Sequence, residues 1–205
     1  SRVLDLGCGT GRTTIPLKEE GYEVVGIDIT PEMIEHAKDI ASEKGLDIDY
    51  RVGDATDLGF KDGEFECALF SNQGWTQIPG RENRREALEE VYRVLEPGGV
   101  FIFTTHVRQW RGYTRFWIKQ WIKLHLLKPL GFQADEEEFG DRFFETSNTD
   151  ISYPKKQYIH IPKVENVIEM VEDVGFELVE NRRAQAIAED EDHRLNPMFY
   201  VCRKN

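Results

Sequence analysis

Val3-Leu4-Asp5-Leu6-Gly7-Cys8-Gly9-Thr10-Gly11 decides the fold. An apolar run that ends in alternating glycines, directly ahead of a helical pattern, predicts a buried strand, a tight turn and a helix. Glycines there let a ligand approach the backbone closely. In open α/β sheets this turn lies at the C-terminal edge of the strands, where ligands bind. A dinucleotide fingerprint requires Gly-x-Gly-x-x-Gly, and here Arg12 stands in the third position, which disfavours a nicotinamide oxidoreductase. No Gly-Lys-Ser/Thr follows, so the loop is not a Walker A phosphate loop. Asp5, two residues ahead of Gly7, suits a ligand that carries positive charge rather than a pyrophosphate.

Outward from this loop the pattern alternates. Residues 13–20 read as a helix closed by Gly21. Residues 24–29 read as a second strand carrying Asp28 at its end, placed to accept from a ribose diol. Thr30 and Pro31 then start a second helix that Gly45 stops. Strands follow at about 49–53 and 65–71, a helix begins near Arg81, and a fifth strand spans 100–105. After a break, 163–174 reads as a helix, and 176–179 and 199–202 as two closing strands around an acidic loop, Glu189-Asp190-Glu191-Asp192. Strands this apolar, alternating with helices, predict an α/β doubly wound sheet with helices on both faces.

The ordered segments Asp5-Leu6-Gly7-Cys8-Gly9-Thr10-Gly11, Asp28, Gly53-Asp54-Ala55, Phe70-Ser71-Asn72 and Arg93-Val94-Leu95-Glu96-Pro97-Gly98-Gly99 resemble the class I S-adenosylmethionine-dependent methyltransferases over residues 1–105. The resemblance implies a seven-stranded sheet in the order 3-2-1-4-5-7-6 with strand 7 antiparallel. It implies S-adenosylmethionine as cofactor and S-adenosylhomocysteine as product. Gly7, Cys8, Gly9, Thr10 and Gly11 would lie along the methionine part, with Asp5 facing its ammonium group. Asp28 would hold the ribose, with Ile29 and Met33 beside the ligand; Asp54 and Ala55 would address the adenine. Ser71, Asn72 and Gln73 would lie under the transferred methyl group.

Displacement at a sulfonium needs positioning first, and a base only when the nucleophile arrives protonated. His106, at the end of the fifth strand, and His160, ahead of the last helix, are the candidate bases. His36 and His125 read as helix-surface residues and His193 as part of the acidic loop. No Asn-Pro-Pro-Tyr or Asp-Pro-Pro-Tyr signature follows the fourth strand, which favours a small-molecule acceptor over a nucleobase amine.

Residues 107–157 interrupt the rhythm and read as an insertion within a single domain of 205 residues. From Val107 to Ala134 there are six Lys/Arg and no Asp or Glu, and Asp135-Glu136-Glu137-Glu138 follows at once. Arg111, Arg115, Lys119 and Lys123 recur every four residues, as on one helix face. The expectation is a lid over the cleft, with Trp75, Trp110 and Tyr113 as substrate walls. An RNA methyltransferase using that basic stripe, a membrane-surface helix and a non-catalytic S-adenosylmethionine-binding module are the alternatives.

The net charge of −12, from 26 Lys+Arg against 38 Asp+Glu, opposes nucleic acid as a default partner. Cys8, Cys67 and Cys202 are scattered, which points to neither a disulfide framework nor a metal site. No apolar run is long enough for a transmembrane helix and no signal peptide is visible, so a cytoplasmic location is expected. The sequence opens directly on a core strand, and residues upstream of Ser1 are expected.

Overall fold

The computed structural model describes residues 1–145, 156–187 and 196–205. In chain order the elements are β1 (Arg2–Leu6), α1 (Thr14–Glu19), β2 (Glu23–Asp28), α2 (Pro31–Glu43), β3 (Asp49–Val52), β4 (Phe65–Phe70), α3 (Arg81–Val94) and β5 (Leu95–Thr105). They continue with α4 (Thr114–Ile122), β6 (Asp141–Glu145), β7 (Lys156–His160), α5 (Val164–Val174), β8 (Phe176–Arg183) and β9 (Met198–Lys204). The acidic loop at 189–192 and His193 lie outside the described residues.

Seven strands form one sheet in the order β3-β2-β1-β4-β5-β9-β8. The first five run parallel, and β9 is antiparallel to both neighbours. This is the expected order; the labels of the closing strands move up by two because the insertion adds a separate hairpin, β6-β7. The fifth strand starts earlier than expected, at Leu95. Leu95 already pairs with Phe65, and an irregularity lets the Pro97-Gly98-Gly99 turn ride within the strand before Val100 pairs with Cys67.

The core explains the strand pattern. Leu4, Leu6, Ala68, Phe101 and Phe103 are wholly buried, and α3 covers them with Leu88, Val91 and Val94. Phe101, Phe103 and Tyr200 stack in a row across β5 and β9, with centroids 4.8 Å apart at each step. Ile34, Ala37 and Ala41 of α2 pack with Cys8 and Tyr50 in a second cluster. Each such burial contributes about 1.5–3 kcal/mol, so the sheet rather than the loops sets the positions of the strand ends. Among the described residues no helix is long and apolar enough to cross a membrane.

Between β5 and α5 the described residues form more than one helix. Trp117, Gln120 and Leu124 face inward, while Arg115 and Lys119 are exposed. The four-residue stripe is not continuous on one helix face: Arg111 precedes α4, and Lys123 begins a wider turn, Lys123–Leu127. Lys123 pairs with Glu136 at 2.6 Å, so the acidic run partly neutralises the basic segment.

A buried network fastens the hairpin to the domain. Arg84 of α3 donates to the Ile78 carbonyl at 3.0 Å and to the Tyr158 hydroxyl at 3.1 Å, and pairs with Glu138. Asp141 accepts four hydrogen bonds: from Tyr158 and His160 Nδ1 on Oδ1, both at 2.8 Å, and from the Glu137 and Glu138 amides on Oδ2. Burial alone would raise this carboxyl, but those donors outweigh it and hold it at about 2.

An aspartate depressed in the folded state stabilises the fold above its unfolded value of about 3.9, and this contribution fades as pH falls through about 2. Tyr158→Phe removes one donor to the carboxylate. Urea unfolding at pH 7 is expected to show a loss of about 2 kcal/mol. The variant is also expected to lose less further stability than the parent between pH 4 and pH 2. Parallel acid profiles would contradict this role for Asp141.

Candidate functional site

β1, β2, β3, β4 and β5 deliver their C-terminal ends to one edge of the sheet. The glycine loop leaves β1 with Gly7, Gly9 and Gly11 all in the left-handed region, at φ of 61°, 54° and 91°. A side chain at Gly7 would meet the Phe70 ring at 2.9 Å, whereas nothing lies within 4 Å of the Cβ position at Gly9, so the loop is open there. Cys8 turns into the core, where burial pushes its thiol up, so only its backbone serves the edge. Thr10 stays partly exposed beside it.

Asp28 ends β2 and ties the loop down. Its Oδ2 accepts from the Gly9 amide and its Oδ1 from the Thr30 amide, both at 2.9 Å. A carboxylate offers about four acceptor positions, so two remain. Asp5 is fully buried, and burial raises its carboxyl. Its Oδ2 receives the Thr13 and Thr14 hydroxyls at 2.6 Å each, while its Oδ1 is buried with no partner among the described residues. Asp54 is exposed; its Oδ1 closes a turn onto the Thr56 amide and hydroxyl, and its Oδ2 makes no hydrogen bond among the described residues. Ala55 packs against the core beside it. Ile29 is 67% exposed next to Asp28, an apolar surface at the rim, and Met33 lies half-buried one turn into α2.

Ser71, Asn72 and Gln73 follow β4. Asn72 and Gln73 both take left-handed backbone, φ 51° and 56°, which is costly for non-glycine residues and typical of ligand clamps. The Gln73 amide is held by the Thr104 hydroxyl at 2.8 Å, and the Ser71 hydroxyl is buried without a partner among the described residues. An unspent carboxylate oxygen, an unspent hydroxyl and an open glycine fit a bound polar ligand with a positive charge.

His106 emerges from the end of β5 half-buried, and burial lowers its pKa, so the imidazole is neutral near pH 7. Its Nδ1 lies 2.7 Å from the Thr76 hydroxyl, which also lies 2.7 Å from the Gln73 carbonyl. A carbonyl only accepts, so the single hydroxyl hydrogen goes to Gln73 and Nδ1–H donates to Thr76. Nε2 then carries the lone pair. Thr76 and Thr104 carry no motif, and the sequence reading missed both; Thr104 reaches the edge through β5 and Thr76 through the short helical turn Gly74–Gln77 after β4.

Two expectations are corrected. Trp75 is no substrate wall: it is 2% exposed, set edge-on to Phe103, and its indole N–H donates to the Arg84 carbonyl at 2.9 Å. His160 is buried in the hairpin network against Asp141, and burial lowers its pKa. Its partners are structural. Glu138, Asp141 and His160 place ligand-type atoms within 4.8 Å of one another, but Arg84 occupies Glu138 and hydrogen bonds fill Asp141, so these residues do not form a metal centre. Trp110 and Tyr113 remain half exposed at the insertion.

Comparison with known proteins agrees with this geometry. Residues 3–99 match the family model described as a methyltransferase domain. A demethylmenaquinone methyltransferase of Thermus thermophilus is 41% identical over 100 residues, 48% of this chain and 44% of that protein. The uncharacterized methyltransferase YcgJ of Bacillus subtilis is 33% identical over 108 residues, 51% of this chain and 40% of that protein. The chain thus aligns with under half the length of these curated relatives. A crystal structure of a SAM-dependent methyltransferase from Methanosarcina mazei superposes with a TM-score of 0.77 at 23% identity, covering 99% of this chain and 92% of that one, which shows the shared fold. Over residues 3–99 the chain is thus similar to the methyltransferase-domain family, and it shares its fold with a protein named as a SAM-dependent methyltransferase.

Proposed function

We propose that the 205 residues work as one domain that methylates a small-molecule acceptor held beneath the insertion at 107–157. The observation that carries this reading is the gathering of Asp5, Asp28, Asp54 and the open glycine loop on one edge, with His106 on the same edge. Asp28 would take the ribose hydroxyls on its remaining lone pairs, Asp5 would balance the ammonium group, and Asp54 with Ala55 would address the adenine, flanked by Ile29 and Met33. The Gly7–Gly11 backbone and residues 71–73 would line the methionine end. When bound, S-adenosylmethionine supplies a methyl group on a sulfonium, an electrophile with a good leaving group.

The chain's own contribution is placement and one proton. His106 Nε2 would take the proton from a hydroxyl or ammonium group of the acceptor and so free the lone pair that attacks. Thr76 holds the imidazole in the tautomer that permits this. The curated relative named for demethylmenaquinone supports a small organic acceptor.

The test incubates the protein with methyl-labelled S-adenosylmethionine and a panel of phenols, amines and carboxylic acids. Label is expected on a small acceptor. His106→Gln is expected to lower kcat by about 10²–10⁴-fold for an acceptor that arrives protonated, with KM little changed. Label on tRNA and on no small molecule would overturn the reading.

A further inference from the structure

Away from the glycine loop, a cavity of about 470 Å³ opens between the insertion and α5, lined by Arg108, Trp110, Trp117, Trp121, Phe139 and Lys163 among others. Its size is that of a small-molecule site. It lies at the catalytic edge by construction. Arg108 is two residues past His106 on the chain leaving β5, and its amide donates to the Pro162 carbonyl, next to Lys163 at the start of α5. Since β8 runs parallel to β5, the preceding α5 begins at that same edge.

The walls are aromatic. Phe139 contacts Trp117 and Trp110 with centroids 5.6 and 6.3 Å apart. The Trp117 indole N–H is spent on the Gln109 carbonyl, which leaves its ring as apolar wall. Trp110 and Trp121 are each nearly half exposed, a large apolar surface at the cavity.

The charge at this cavity is unusual. The Arg108 guanidinium is clamped by the Ile161 and Phe139 carbonyls and lies over the Phe139 and Trp117 rings at 4.5 and 5.4 Å. No carboxylate pairs with it among the described residues, and its Nη1 makes no hydrogen bond among them. Burial lowers its pKa, yet an arginine stays charged. Lys163, likewise without an ion pair among the described residues, adds a second cation at the uncapped start of α5. Glu138 and Asp141 act on Arg108 only from beyond contact distance and are engaged by Arg84 and by Asp141's own donors, so a half-buried guanidinium with an unspent Nη1 can still take an anionic group from a ligand.

We propose that this cavity is the acceptor site and that the acceptor is an aromatic organic anion, its ring against the tryptophans and its anionic group on Arg108 and Lys163. This rests on the methyltransferase reading for the word acceptor, while the anion selectivity does not.

Calorimetric titration with 2-naphthoate and its neutral counterpart 2-naphthamide tests it. The naphthoate is expected to bind at least about tenfold more tightly, the order of one charge-assisted hydrogen bond. Arg108→Gln should erase that preference and leave naphthamide binding unchanged. Lys163→Gln, at an exposed position, should narrow it without threatening the fold; Trp121→Ala should weaken both probes. S-adenosylhomocysteine is titrated into the same proteins and is expected to bind all of them alike. Equal affinity for the two probes, a preference that survives both charge variants, or no binding of either overturns the proposal. Normal probe selectivity with no S-adenosylhomocysteine binding overturns only the assignment of the site to a methyl acceptor.

Discussion

The Asp28 carboxylate holds two backbone amides at once, Gly9 of the loop after β1 and Thr30 at the start of α2. That pair of hydrogen bonds joins two adjacent βα connections of a parallel sheet and fixes the shape of the glycine loop. Asp5 does the complementary task from below, taking two threonine hydroxyls and so anchoring the first turn of α1. Because the strands are buried, both carboxylates are carried to their places by the core.

The sheet was readable because parallel strands are written as unbroken apolar runs, and because glycines, Pro31 and Gly175 punctuate the helices. Asp28 was readable because a strand end places a side chain at the ligand edge whatever the sequence around it. The hairpin β6-β7 was not. Its strands carry Arg142, Tyr158 and His160 among their residues, and its partner Arg84 sits on a helix more than fifty residues earlier. Charged residues buried by long-range pairing leave no periodic signal. Trp75 misled for the related reason that an aromatic residue next to a ligand loop is as readily core as wall; the Phe103 contact decides between them.

The basic segment shows how charge on paper differs from charge in place. Lys123 is spent on Glu136, and Arg111 stands off the helix. Arg108, which has no special place in the four-residue stripe, lines an aromatic cavity together with Lys163, and neither makes an ion pair among the described residues. The surroundings of Arg108 are built by three separate segments, the stretch after β5, Phe139 and Ile161.

The account stands on Asp28 serving as both loop anchor and cofactor ligand. Its most direct measurement is the affinity of S-adenosylhomocysteine for the parent chain and for Asp28→Asn, by calorimetry, with circular dichroism to show that both are folded. The account predicts binding by the parent and a loss of at least about tenfold in the folded variant, as expected for a lost charge-assisted contact. Equal affinities, or no binding by the folded parent, would contradict it.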